Sequence, residues 1–210
     1  MSIERGTTAL LTRRREIVAQ GAEPIGWKIG FNVPAIQEKL GIDGPLAGFL
    51  TSGGLLEDGA TWSLSDDGEV VVESEVAVEL GDDARSIVAL IPALELADPP
   101  DLSQDVETIL AGNIFHRAVA FGPRSETDAP GSARILVNGE LAHEITAREA
   151  DARLEEMVGV VAGRLADAGG QLEAGQRIIT GVLAPPHAAK PGDVVRLEID
   201  GLGGVELHFS

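Results

Sequence analysis

Cysteine and tyrosine are absent from this chain of 210 residues, and its aromatic residues are limited to five Phe and two Trp. Without cysteine the chain has no disulfide, no thiolate nucleophile and no sulfur ligand, so any metal must be bound by oxygen or imidazole. So few aromatic residues also argue against a platform on which nucleic-acid bases would stack. The core must therefore be built from Leu, Val, Ile and Ala.

Basic residues are also few, since 16 Lys and Arg stand against 34 Asp and Glu, for a formal net charge of −18. The lysines are Lys28, Lys39 and Lys190. A protein that binds a phosphate backbone needs a stripe of basic residues. This chain has too few basic residues to form one, which excludes nucleic acid as a partner. An apolar content of 44% indicates a folded domain rather than a disordered acidic tail.

Long apolar runs are missing as well. The longest, residues 87–97, contains Glu95, and it is far shorter than the roughly 20 residues that cross a bilayer. We therefore expect no membrane partner. The first residues, Met-Ser-Ile-Glu-Arg-Gly, do not have the pattern of a secretory signal, which predicts a cytoplasmic location.

The first part of the chain reads as short elements. The pattern predicts a helix over 7–20, a strand over 25–29 and a second helix over 33–40, with Pro34 in its first turn. Residues 41–68 are rich in glycine and proline, and we expect a long irregular segment there.

From Glu69 onwards the pattern is mostly that of β structure. Alternation over 70–80 places Glu73 and Glu75 on the same strand face, and residues 87–97 form the next strand. Asn138-Gly139 predicts a hairpin, and the spacing from Thr146 to Glu149 is that of a capping box at the start of one long helix. The predicted hairpin strands are Ala133–Val137 and Glu140–Ile145, and Gly169-Gly170 ends the helix. The later predicted strands are 177–183, 194–199 and 204–209.

Neither an internal repeat nor a low-complexity linker divides the chain. We therefore predict a single domain over 1–210. Within it, residues 1–40 form a short helical N-terminal region and residues 69–209 form a catalytic β-roll.

Three carboxylates are candidate metal ligands. Glu73 and Glu75 are two residues apart on a strand, so both can point at one cation. Glu95 lies among apolar residues and needs a partner, because an unpaired buried carboxylate is costly. In the simpler interpretation, Glu73 and Glu75 lie on a solvated strand face, and Glu95 faces water at a strand edge or pairs with Arg85 or Arg117. In the more specific hypothesis, the three carboxylates form an oxygen site for Mg²⁺ or Mn²⁺.

Lys28 and His116 are the other candidates. Lys28 lies in Gly-Trp-Lys-Ile-Gly, a short apolar strand between glycines, where its ammonium could neutralise a carboxylate or a developing enolate; a lysine extending to solvent from an edge strand is the alternative. The four histidines are scattered, which excludes a zinc site of helix-spaced ligands. The sequence has no nucleophile elbow, P-loop or dinucleotide fingerprint.

Five motifs in order give a family resemblance. They are Gly-Trp-Lys28-Ile-Gly, Val-Glu73-Ser-Glu75-Val-Ala, Pro-Ala-Leu-Glu95-Leu-Ala-Asp, Ile-Ile-Thr180-Gly181, and Pro-Gly-Asp193 followed by Gly-Leu-Gly-Gly-Val. Over roughly 26–122 and 176–209 the chain resembles the 2-keto-4-pentenoate hydratase and 4-oxalocrotonate decarboxylase group of the fumarylacetoacetate hydrolase superfamily.

The resemblance implies an α+β fold, a mixed β-roll with flanking helices. It also implies a lyase of aromatic compound catabolism that acts on a small 2-oxo or 2-hydroxydienoic acid through a metal-stabilised enolate. We separately expect a homo-oligomer. Implied roles are Mg²⁺ or Mn²⁺ on Glu73, Glu75 and Glu95, with Lys28 as the active-site lysine. His116 is expected to be catalytic, and the expected substrate contacts are Asn113, Thr180 and Gly181.

The chain departs from the group's pattern at two motifs. Hydratases of the group usually show Asp-Asn-Ala-Ser-Ser where this chain has Gly112-Asn-Ile-Phe-His116, and Pro-Asp-Phe-Gly where it has Pro45-Leu-Ala-Gly48. The alternatives are therefore a non-catalytic member that binds a 2-oxo acid or partners an active lyase, and a structural Ca²⁺ site. An acylpyruvate C–C hydrolase is disfavoured because no histidine precedes His116.

Overall fold

The computed structural model describes residues 3–64, 68–127, 129–151 and 153–210. Its elements follow in chain order: α1 (Ile3–Ala19), β1 (Pro24–Gly30), α2 (Pro34–Leu40), β2 (Leu46–Thr51), a 3₁₀ turn (Ser52–Gly54), β3 (Leu55–Leu56), β4 (Thr61–Trp62), β5 (Val71–Leu80), β6 (Ile87–Ala97), α3 (Val106–Ala111), β7 (His116–Phe121), β8 (Ala133–Val137), β9 (Glu140–Ile145), α4 (Ala147–Asp151), α5 (Leu154–Ala166), β10 (Arg177–Val182), β11 (His187–Ala188), β12 (Val194–Ile199) and β13 (Gly203–Phe209).

The strands form two sheets. The larger has the order β2-β1-β10-β5-β6-β7-β3, with β11 added to β5, and the smaller has the order β4-β13-β12-β8-β9. The larger sheet is mixed, since β1 runs parallel to β10 whereas β10, β5 and β6 are antiparallel neighbours. These mixed sheets with flanking helices confirm the expected α+β fold.

The alternation of β5 separates two environments. Val72, Val76 and Val78 on one face are at most 2% exposed and belong to the main core, which also includes apolar residues of α1, α5 and the smaller sheet. The opposite face carries Glu73 and Glu75, followed by a small apolar cluster around Ala77 and Ile91. One face of the sheet thus holds the fold together, and the other is free to hold polar groups.

The prediction of an irregular segment over 41–68 was wrong in part. Its described residues include β2, the 3₁₀ turn, β3 and β4, and every residue of β2 is buried. β2 pairs with β1 in register with Gly48 opposite Lys28, and a Cβ at Gly48 would lie 2.7 Å from Lys28 Cγ. The glycine that indicated a loop is therefore needed for close packing inside a sheet.

The single helix expected after Thr146 is divided into α4 and α5. The capping box is present, because Thr146 N–H donates to Glu149 Oε2 at 2.9 Å and Glu149 N–H donates to Thr146 Oγ1 at 3.3 Å. Arg153 has a left-handed φ of 72° just before α5, which interrupts the helical path. Periodicity alone did not reveal this break, nor did it predict α3 and β7.

The proposed division between a helical region 1–40 and a β-roll 69–209 stays a prediction. β1 of the first region pairs with β10 of the second, so the two share one sheet. None of the described helices is long and apolar enough to span a membrane.

Candidate metal centre and adjoining cavity

Strand register brings three carboxylates together at the centre of the larger sheet. Glu73 of β5 lies directly opposite Glu95 of β6, and Glu75 follows two residues later on the same face. One oxygen from each of the three lies within 4.8 Å of the others. The predicted convergence of Glu73, Glu75 and Glu95 is therefore observed in the geometry.

Two of these carboxylates have no contact with solvent and keep one oxygen without a partner. Glu75 and Glu95 are 0% exposed. Gly181 N–H donates to Glu75 Oε2 at 2.6 Å, whereas Glu75 Oε1 and Glu95 Oε2 have no hydrogen-bond partner in the described part of the chain. Such atoms normally cost about 1–3 kcal/mol each. A hard divalent cation that prefers oxygen ligands fits this set, and Glu73 supplies the third ligand.

Lys28 and His116 both contact the other oxygen of Glu95. Lys28 Nζ donates to Glu95 Oε1, and His116 Nδ1 lies 2.8 Å from the same atom. Lys28 is 2% exposed, so the ion pair is almost fully desolvated. Lys28 therefore pairs with a carboxylate, as one of the two sequence-based expectations for it stated. The pairing leaves Glu95 Oε2 available to a cation.

This contact requires a curved sheet. β1 is separated from β6 by β10 and β5, so flat packing would put the two strands about 14 Å apart at the usual strand spacing. Lys28 Nζ nevertheless hydrogen-bonds to Glu95. The sheet therefore curls around the carboxylates, which lie inside the curve.

The electrostatics of the cluster are those of acids held close together. Burial, and next the charge of Glu95, raise the pKa of Glu73 to about 7. Burial and the charges of Glu95 and Glu73 raise the pKa of Glu75 well above its ordinary value. Burial opposes ionisation of Glu95 too, but Lys28 and the His116 hydrogen bond outweigh it and lower its pKa. The pKa of Glu95 is thus shifted in the opposite direction from those of Glu73 and Glu75, and a cation at the site would compete with protons for Glu73 and Glu75.

Burial also opposes the charge on Lys28, but the glutamates outweigh it and raise the pKa of Lys28, with Glu95 the largest contributor. The two partners of the ion pair therefore agree, since each holds the other in its charged form.

The segment after α3 is built on left-handed backbone. Asn113, Ile114 and Phe115 have φ values of 63°, 51° and 62°, and non-glycine residues in this region cost of order 1–3 kcal/mol each. Asn113 compensates by accepting from Phe49 N–H at 2.8 Å and donating to Phe49 C=O at 3.0 Å. The turn brings the Ile114 carbonyl within 3.3 Å of Lys28 Nζ.

The expected substrate contacts Asn113, Thr180 and Gly181 have other partners in the structure. Asn113 binds the backbone of β2, and Thr180 Oγ1 donates to Val76 C=O at 2.8 Å. Thr180 and Gly181 lie where the register between β10 and β5 shifts, and Gly181 has a φ of 103°. This bulge turns the Gly181 N–H towards Glu75. Each of the three residues thus hydrogen-bonds to the backbone or to a carboxylate of the protein, and substrate contact by them stays a prediction.

A cavity of about 430 Å³ opens beside the carboxylates. Lys28 and Glu73 line it, together with residues of β1, α2, the turn after α3 and the segment 182–186. His116 lies outside this lining and contacts Glu95. Sequence reasoning identified the charged side chains, but it missed Ile114, Phe115 and Phe31, whose only sequence signal is apolar character beside a candidate motif.

No family model matches the chain. It is 29% identical to 2-keto-4-pentenoate hydratase 1 of Dechloromonas aromatica strain RCB over 93% of its own length and 81% of that protein. It is 28% identical to 4-oxalocrotonate decarboxylase of a Pseudomonas species over 92% of its own length and 80% of that protein. The chain is thus similar to proteins named 2-keto-4-pentenoate hydratase and 4-oxalocrotonate decarboxylase, the group that its five motifs resemble. These relatives are lyases, which confirms the expected enzyme class.

Two solved structures share the fold of this chain. The 4-oxalocrotonate decarboxylase of Pseudomonas putida G7, complexed with magnesium and adipate, matches all of the chain and 87% of its own length with a TM-score of 0.88 at 23% identity. Fumarylpyruvate hydrolase of Pseudomonas aeruginosa, in complex with Mn²⁺ and pyruvate, matches at 0.64 and 14% identity over 87% of the chain and 88% of its own. The expected β-roll architecture is therefore confirmed.

Proposed function

We propose that the chain is a divalent-cation-dependent lyase, of hydratase or decarboxylase type, that acts on a small 2-oxo or 2-hydroxydienoic acid. The observation that carries the proposal is the convergence of Glu73, Glu75 and Glu95, of which Glu73 lines the cavity. Two of their buried oxygens have no hydrogen-bond partner among the described residues. The names of the curated relatives support the same class of reaction.

Mg²⁺ or Mn²⁺ is the proposed cofactor, held by Glu73, Glu75 and Glu95. When bound, such a cation would act as a Lewis acid on the 2-oxygen of the substrate, where negative charge develops as the enolate forms. A cation would also neutralise the mutual repulsion that raises the pKa values of Glu73 and Glu75.

Lys28 is the proposed catalytic residue of the cavity wall. Its ammonium has three N–H donors, of which one binds Glu95 and one points to the Ile114 carbonyl. A donor remains for an oxygen of a substrate in the cavity that Lys28 lines. Because the side chain is buried, it can stabilise negative charge there without reorganising solvent.

His116 is proposed to act in catalysis through Glu95, as a positioning residue. Its Nδ1 contacts Glu95 Oε1, its side chain is 7% exposed, and it is not among the residues that line the cavity. Asn113, Thr180 and Gly181 are proposed to hold the backbone and Glu75 in place for substrate binding. A cytoplasmic location and a homo-oligomer stay predictions.

The proposal is tested by incubating the protein with Mg²⁺ and 2-hydroxypenta-2,4-dienoate, or with 4-oxalocrotonate. We expect cation-dependent loss of dienol absorbance faster than spontaneous ketonisation, and release of CO₂ from 4-oxalocrotonate only if the enzyme is a decarboxylase. Glu75→Gln should lower the rate by about 100-fold or more. Glu69→Gln is the control, because it removes the same charge from an exposed site just before β5. Absence of cation-dependent turnover with either acid would leave a non-catalytic binder.

A further inference from the structure

The cavity beside the carboxylates has a charged end and an apolar body. Lys28 and Glu73 both lie beside Glu95 and form the charged part of the lining. Apart from Asn32 and Asp98, the rest of the lining is apolar and includes Phe31, Ile36 and Phe115. A 2-oxo acid whose head lies at the charged end would therefore direct the rest of its chain along the apolar wall.

Two aromatic rings make the apolar wall, and both depend on unusual backbone. Phe31 and Phe115 pack edge to face with centroids 6.4 Å apart. Their φ values are 59° and 62°, so each side chain is presented from left-handed backbone. Phe115 lies in the turn after α3, and Asn113 anchors this turn to β2 through two hydrogen bonds with the Phe49 backbone. The position of the Phe115 ring in the wall is therefore fixed by the fold.

The charges along the described lining disfavour a second carboxylate on the substrate. The charged residues among them are Lys28, Glu73 and Asp98. Lys28 is already paired with Glu95, and Asp98 accepts from Arg117 Nε at 2.7 Å at a partly exposed position. A carboxylate at the far end of the substrate would thus face apolar side chains, without a second lysine or an arginine among the described lining residues.

The size of the cavity favours a substrate with a long tail. At about 430 Å³ it lies in the range, about 300–1,000 Å³, of pockets that enclose drug-sized ligands. A five-carbon acid would fill a small part of it. Resting on the proposed function in its hydratase form, we propose that this site selects 2-oxo acids with an apolar tail longer than that of pentenoate, and that it discriminates against dicarboxylates such as 4-oxalocrotonate.

Binding of stable 2-oxo acids to the Mn²⁺-loaded protein, measured by titration calorimetry, tests this selection without requiring turnover. The panel is 2-oxopentanoate, 2-oxooctanoate and 2-oxoadipate. Each buried methylene contributes about fourfold in affinity, so 2-oxooctanoate should bind at least about tenfold more tightly than 2-oxopentanoate. The dicarboxylate 2-oxoadipate should bind more weakly than 2-oxopentanoate.

A charge placed in the wall should reverse the preference. Ile36→Arg puts a cation into the apolar lining from α2, and it should raise affinity for 2-oxoadipate and lower affinity for 2-oxooctanoate by about tenfold each. Val88→Arg is the matched control, since Val88 is 40% exposed on β6 and outside the cavity lining.

The two proposals fail in different ways. Equal affinities across the panel, or tighter binding of 2-oxoadipate by the unmodified protein, would overturn the selection while leaving the cation-bound 2-oxo acid site intact. If no acid of the panel binds in the presence of Mn²⁺, the proposed function fails and the selection with it. The panel on the unmodified protein decides the outcome even if Ile36→Arg does not fold.

Discussion

At the scale of single residues, the site is a balance between buried acids and one buried cation. Glu95 is kept ionised by Lys28 and His116, whereas Glu73 and Glu75 lie beside it with raised pKa values. Removing one partner of a buried ion pair is costly because the other charge is left uncompensated. The stability of the metal-free protein should therefore report directly on these side chains.

Lys28→Met should destabilise the metal-free protein by about 3–5 kcal/mol, because Glu95 would keep only His116 as a partner in the described structure. Added Mn²⁺ should recover part of this loss, since the cation replaces the missing positive charge. Urea unfolding with and without Mn²⁺ measures both effects. Lys39→Met removes an exposed lysine from α2 and should change little; an equal effect of the two substitutions would contradict the ion-pair role.

The metal-free protein should lose stability as the pH rises from 5 to 8. The folded-state pKa of Glu73 is raised to about 7, above its ordinary value of 4.5, so the folded protein binds this proton more tightly than the unfolded chain does. The resulting contribution to the free energy of unfolding is fully present below pH 4.5 and is lost as the pH rises through 7. The raised pKa of Glu75 acts in the same direction. The lowered pKa of Glu95 acts below 4.5, outside this window.

Thermal unfolding at several pH values checks the sign. Glu73→Gln should flatten the slope between pH 5 and 8, whereas Glu69→Gln should leave it unchanged. Saturating Mn²⁺ should also flatten it, because the cation compensates for the charges that form. A metal-free protein that becomes more stable over this interval would show that the carboxylates are not acids with raised pKa values.

At the scale of elements, register and backbone shape decide what each residue contacts. The pairing of β5 with β6 sets Glu73 opposite Glu95, and the bulge in β10 turns the Gly181 N–H onto Glu75. The turn after α3 carries three successive left-handed residues, which the sequence did not reveal because none of them is glycine. Local propensity opposes this turn, so tertiary contacts must maintain it.

Substitutions at Asn113 separate its hydrogen bonds from its backbone shape. Asn113→Ala should destabilise the protein by about 2–4 kcal/mol, because Phe49 N–H and C=O lose their buried partners. Asn113→Gly loses the same bonds, but glycine adopts φ 63° without a Cβ penalty, so it should be about 1 kcal/mol more stable than the alanine variant. Chemical denaturation measures the difference, and an alanine variant as stable as the glycine one would argue against backbone strain.

At the scale of the whole molecule, a strongly acidic chain concentrates three acids inside a curled sheet. The net charge of −18 disfavours an anionic substrate at the surface. A dication bound by Glu73, Glu75 and Glu95 would, together with Lys28, offset the three carboxylate charges at the cavity. Binding to the folded state alone should then raise the stability of the entire domain.

Mn²⁺ or Mg²⁺ should raise the melting temperature. A free ion concentration of 100 times the dissociation constant should add about 2.7 kcal/mol to the free energy of unfolding. Calorimetry with the ions and with EDTA measures this, and Glu75→Gln should abolish the shift while Glu69→Gln retains it. A shift produced by Ca²⁺ alone, with no binding of 2-oxo acids, would indicate a structural ion. A shift equal to that produced by monovalent salt would contradict a divalent site.

The sequence by itself determined the chemistry that is available: no thiol, few lysines, and carboxylates on strands whose two-residue period puts them on one face. It also determined the bounds of β5, β6 and the hairpin of β8 and β9 closely, because alternation and Asn138-Gly139 are local signals. Only the tertiary structure decided which groups meet. The contacts of Lys28 with Glu95, of Gly181 with Glu75 and of Phe31 with Phe115 join residues far apart in the chain, and they depend on strand order and curvature that no local pattern encodes.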